Sequence, residues 1–133
     1  MPERYFTRDE VEALIPELTR LVERLRAAHA EVKTLREGLE AERQRLTLSG
    51  GGMLDQARWK VDGARLEAAT KEAQAALDDL HELGGVAKDA ELGLVDFPHV
   101  RDGKVVNLCW KHGESSVRWW HGLNEGYAAR KPL

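Results

Sequence analysis

Residues 7–46 read TRDEVEALIPELTRLVERLRAAHAEVKTLREGLEAERQRL, and the spacing of their apolar side chains decides the fold. Thr7-Arg8-Asp9-Glu10 is a capping box, in which the threonine hydroxyl accepts the Glu10 amide and the Glu10 carboxylate returns to the Thr7 amide. From there the apolar residues step by three and four: Val11, Leu14, Leu18, Leu21, Leu25, Ala28, Val32, Leu35, Leu39 and Leu46. Glu42 is the one polar member of this seam, so the repeat is that of a coiled coil. The spacing predicts a helix over 7–48, roughly 60 Å long at about 1.5 Å per residue. Pro16 and Gly38 are its weak points. Ile15 and Val22 widen the seam early, whereas Arg36 and Arg43 take those places later. The first half should therefore be buried over a broader face.

Outward from this helix, residues 49–53 form a glycine-rich turn, and a second helix is expected over 54–83. Its seam runs through Trp59, Asp62, Leu66, Ala69, Ala73, Ala76, Leu80 and Leu83, and its alanine middle admits a close leucine-rich partner. Ala57, Val61, Ala64, Ala68 and Ala75 make a second small-residue stripe. A lone antiparallel hairpin cannot cover two apolar faces, which predicts a homodimer with a four-helix bundle core.

The chain of 133 residues is read as a single domain, 1–133. Its 20 basic and 23 acidic residues are spread without a strongly charged segment, so neither nucleic acid nor an anionic membrane is an expected partner. No stretch approaches membrane-spanning length, and the single cysteine, Cys109, suits a reducing, cytoplasmic location. Composition changes at Gly84-Gly85, after which three tryptophans fall within 110–120. Residues 84–133 thus form an aromatic motif. Strands are expected over 94–100 and 104–110, around Arg101-Asp102-Gly103, because Asp-Gly is a strong type I′ hairpin signal. Cross-strand partners then sum to 205, so Val95 faces Trp110, Phe97 faces Leu108 and His99 faces Val106 on the helix side. Asp96 with Cys109 and Pro98 with Asn107 lie on the other side, and Pro98 suggests an edge strand. A short final helix is expected over 116–124, which would align Glu114, Arg118, His121 and Glu125. The fold class is mainly α: a long helical hairpin, a small β-hairpin and a short C-terminal helix.

Several of these stretches carry a resemblance. Phe6-Thr7, Lys88-Asp89, Gly93-Leu94-Val95-Asp96-Phe97-Pro98, Arg101-Asp102-Gly103 and Leu108-Cys109-Trp110 belong to it. So do Gly113-Glu114, Trp120-His121, Gly126-Tyr127 and Arg130-Lys131-Pro132. Together they resemble family 2203 of the domains of unknown function, small proteins of bacteria and archaea. The resemblance covers essentially the whole chain and implies no activity. His112 departs from the family pattern, which is apolar there, and a site that needs His112 is disfavoured.

Candidate chemistry lies in the same segment. Glu114, His121 and Glu125, with Asp96 and Cys109 nearby, offer oxygen, nitrogen and sulfur ligands for a divalent metal, and a helical His-x-x-x-Glu pair could hold one ion. Asp96, Arg101, Trp120 and Arg130 form a candidate ligand site in which the arginines would hold an anion. Against both stands a solvated, salt-bridged face. Cys109-x-x-His112 and Asp78-x-x-His81 lack the partners that a zinc or di-iron site needs. Cys109 as a nucleophile has no oriented base, and Gly50-Gly51-Gly52 lacks the rest of a phosphate loop. The first functional reading is a non-enzymatic, dimeric helical-hairpin module that presents a surface to a protein partner. The alternative is a metal- or small-anion-binding site, with or without catalysis, built from Asp96, Arg101, Glu114, His121 and Arg130.

Overall fold

A computed structural model describes residues 4–48, 50 and 55–133. Apart from Gly50, the turn read over 49–53 lies outside the described residues. Helix α1 spans Arg8–Leu48 and α2 spans Gln56–Leu83. The capping box forms as expected: the Thr7 amide donates to Glu10 Oε1 at 2.9 Å and the Glu10 amide to Thr7 Oγ1 at 3.1 Å. Pro16 lies inside α1 without ending it. Asp55 caps α2, accepting the Arg58 amide.

The helices run antiparallel, with Arg24 bridging to Glu72 and Asp79 near one end and Arg65 to Glu31 farther along. Burial follows the seam unevenly. Val11, Leu18, Leu21, Val22 and Leu25 are buried in the first half of α1, with Ile15 packed against the same core. Beyond Ala28 only Leu35 is buried. The second stripe of α2 stays largely open: Ala57, Val61, Ala64 and Ala68 are exposed and Ala75 is half-buried.

At the end of α2 the chain reverses through a Schellman motif. Gly84 adopts φ +99°, its amide donates to the His81 carbonyl, and the Gly85 amide donates to the Leu80 carbonyl. The rest of the chain is a five-stranded antiparallel meander: β1 Val86–Asp89, β2 Leu94–Arg101, β3 Lys104–Lys111, β4 Trp119–His121 and β5 Lys131–Pro132, in that order. A single 3₁₀ turn, Tyr127–Ala129, precedes β5. Asp102 at φ 51° and Gly103 at φ 77° provide the two positive angles that a type I′ turn requires. The register is the one their position predicts, with Val95 opposite Trp110, Phe97 opposite Leu108 and Asp96 opposite Cys109. Val95, Phe97, Leu108 and Trp110 meet the α1 seam, Ala76 and Leu80 in one apolar cluster.

Two expectations need correction. β2 is not an edge strand, since β1 pairs with its first residues; beyond that pairing the edge is open at Pro98, whose carbonyl accepts the Phe6 amide at 2.7 Å. Pro98 therefore sits where no donor is needed. The helix expected over 116–124 does not form. Trp119–His121 instead pairs with Asn107–Cys109, while Glu12 of α1 accepts the Val117 amide at 3.0 Å. A bulky aromatic pair favours an extended backbone beside a free strand edge, and the edge of β3 supplies it.

A Cβ at residue 84 would collide with the Phe6 ring, and the left-handed angle is itself unfavourable for alanine. Gly84→Ala should thus destabilise the fold by about 2–4 kcal/mol, read as a lower urea midpoint with an unchanged denaturant slope.

Candidate metal centre

Strand alternation builds the site. Cys109 points away from the helices, as does Asp96 opposite it on β2. On the other flank of β3, Trp119 lies opposite Cys109 and His121 opposite Asn107. Three adjacent strands thereby bring Asp96, Cys109 and His121 together, all buried, with one ligand atom from each within 4.8 Å of the others. The side chains of Asp96 and His121 are 3% and 4% exposed, so their charges have lost nearly all solvation by water.

Hydrogen bonding makes this cluster unusual. His121 Nδ1 lies 2.8 Å from the Gly122 carbonyl, an acceptor, so Nδ1 carries hydrogen and Nε2 is the other face of the ring. Nε2 approaches Asp96 Oδ2 at 2.9 Å, yet neither carboxylate oxygen of Asp96 has a hydrogen-bond partner among the described residues. A buried carboxylate without a hydrogen-bonded donor is costly, and either a proton on Nε2 or a cation held between the two groups would offset that cost. Burial, and secondarily the charge of Asp96, pushes the Cys109 thiol from its ordinary 9.0 up to about 12. A divalent cation would reverse that shift, because coordination deprotonates a thiol outright.

The same geometry speaks against a nucleophilic cysteine. One ring nitrogen of His121 is held by the Gly122 carbonyl and the other faces Asp96, so neither is placed to take a proton from Cys109. The cluster opens on a cleft of about 290 Å³ that Lys88, Asn107 and Tyr127 also line.

The sequence-derived ligand sets are divided by the fold. Of Glu114, His121 and Glu125, only His121 belongs to the cluster. Glu114 accepts the Lys111 amide and pairs with Arg130, each at 2.6 Å. Glu125 accepts the Gly122 amide at 2.8 Å and Lys131 Nζ at 2.7 Å; these contacts, Lys131 foremost, hold its carboxyl below the usual range. The His121–Glu125 pair loses its helical rationale with the helix. Of the anion-site residues, Asp96 alone enters the cluster. Arg130 lies over the rings of Trp119 and Tyr127, and Arg101 and Lys131 flank the Trp120 ring. His112 bonds to Arg26 and Glu23 of α1, outside the cleft. Lys88, Asn107 and Tyr127 were not among the site residues read from the sequence, although Lys88 and Tyr127 lie in the resemblance motifs and strand alternation places Asn107 on the Cys109 face.

A family model described as an uncharacterized conserved protein, DUF2203, matches residues 4–133. The chain belongs to this family. No curated protein and no solved structure matches it. Among the described residues, no helix of this DUF2203 member is long and apolar enough to cross a membrane.

The position of Cys109 predicts its chemistry. In protein stripped of metal, iodoacetamide at pH 8 should leave it unmodified in the native state and alkylate it on unfolding, as mass spectrometry would show. Because the folded-state value is raised, its stabilising contribution is complete below about pH 9 and is lost as pH rises through about 12. The stability difference between wild type and Cys109→Ala should shrink or reverse across that window in denaturation series.

Proposed function

We propose that this DUF2203 protein binds a divalent metal, and that Asp96, Cys109 and His121 hold it at the mouth of the β2–β4 cleft. The observation that carries this reading is the buried carboxylate of Asp96, unpartnered beside an imidazole whose other nitrogen is already fixed. A carbonyl bonded to the second ring nitrogen is the usual support of a metal-ligating histidine. Sulfur, nitrogen and oxygen donors in one set favour zinc over magnesium or calcium. Three protein ligands leave a coordination position toward the cleft, the pattern of zinc sites that bind or activate a small molecule rather than of closed structural ones. Carboxylate and thiolate together offset the charge of a dication, which makes the buried cluster neutral when loaded.

Zinc titration of untagged, chelator-treated protein followed by native mass spectrometry should show one ion per chain. Loss of an outer-shell partner costs about 10–100-fold in affinity, so Cys109→Ser and His121→Ala should each weaken binding by more than about 100-fold. Glu125→Gln and Glu114→Gln should leave the stoichiometry unchanged. Wild-type protein that stays metal-free at excess zinc would sink the proposal.

A second reading concerns assembly. The exposed stripe of α2, with Val61 57% accessible, favours self-association as a homodimer, with the long hairpins as a four-helix core. It leaves the hairpin serving as an interaction module beside the metal centre. Light scattering should return twice 15.0 kDa, and Val61→Glu should return the monomer mass.

A further inference from the structure

The cleft beside the cluster contains donors that nothing engages. Among the described residues, the Lys88 ammonium and the Asn107 side-chain amide line it with no hydrogen-bond or ion-pair partner. Asp96 apart, which belongs to the metal cluster, the carboxylates that line the cleft with them are already acceptors: Asp89 takes the Leu92 amide at 2.9 Å, and Glu125 takes the Gly122 amide and Lys131. The arginines that could have served an anion are committed elsewhere, Arg130 to Glu114 and Arg101 to the Trp120 face. A ligand that completes this cleft must therefore bring acceptor oxygens.

We infer that the cleft binds a small oxyanion, a carboxylate or a phosphate group, with one oxygen on the metal held by Asp96, Cys109 and His121 and another on Lys88 and Asn107. The inference rests on the metal reading above and adds the class of molecule that the centre takes. Lys88 supplies a point charge at the cleft wall, and Asn107 offers an amide donor from the strand that also presents Cys109. Leu94 and Leu123 complete the lining, so the remainder of the molecule meets a partly apolar wall.

Cobalt(II) provides the test, because its thiolate charge-transfer band reports the metal and its d–d bands report the open position. The full chain is loaded with cobalt(II) and titrated with acetate and, separately, with inorganic phosphate. Saturable changes in the d–d bands with either anion are expected, and the tighter of the two assigns the group as carboxylate or phosphate. Lys88→Met should weaken that anion at least tenfold and Asn107→Ala by a smaller factor, with the cobalt affinity of both unchanged. A thiolate band that no anion perturbs overturns this inference and leaves the metal reading standing, as does an anion response that Lys88→Met does not alter. Absence of any thiolate band overturns both.

Discussion

Two consecutive residues at positive φ, Asp102 and Gly103, remove all freedom from the pairing of β2 with β3. A shift of one residue would turn every side chain of the hairpin to the opposite face. In the register that the turn permits, Phe97, Leu108 and Trp110 reach the leucines of α1, and Asp96 and Cys109 are sent to the far side. The apolar core and the polar cluster are thus two products of one constraint. Neither could be moved without the other. His121 joins only because β4 then finds the edge of β3 in a matching register.

Burial gives that polar cluster its meaning. Most other ion pairs among the described residues, such as Arg20–Glu17 and Arg43–Glu40, lie at the surface, where solvent screening leaves each contributing little. Asp96 and His121 are different, because almost no water reaches them and their contact lacks a proper hydrogen bond. A fold that places an unpaired carboxylate in its interior lowers its own stability unless something compensates. The neighbouring Glu114–Arg130 pair shows the contrasting solution, with each acceptor oxygen matched by a donor.

Much of this was legible before the structure. The heptad seam and the capping box describe periodic or local physics, and both α1 and its wide early face follow from them. The Asp-Gly dipeptide was enough to pair Asp96 with Cys109. What could not be read was β4. Three residues are too few for an alternation to register, and the spacing of Glu114, Arg118, His121 and Glu125 imitates a helical stripe. The edge of β3, which decides the matter, is a tertiary feature. That single error carried Glu114 and Glu125 into the ligand set, since their grouping presumed a helix. β1 escaped for the same reason of length, and with it Lys88.

Sheet and hairpin overlap only along part of α1. Past Leu35, and before Ala69 on α2, the two helices have each other and no third layer among the described residues. This outer arm repeats every seven residues and touches none of the groups that line the cleft. Insertion or deletion of one heptad in both helices together would preserve the seam and return the chain to Gly84 in the same orientation. Reach and chemistry are therefore separable in this architecture, and the length of the arm can drift in evolution while the Asp96–Cys109–His121 cluster stays fixed.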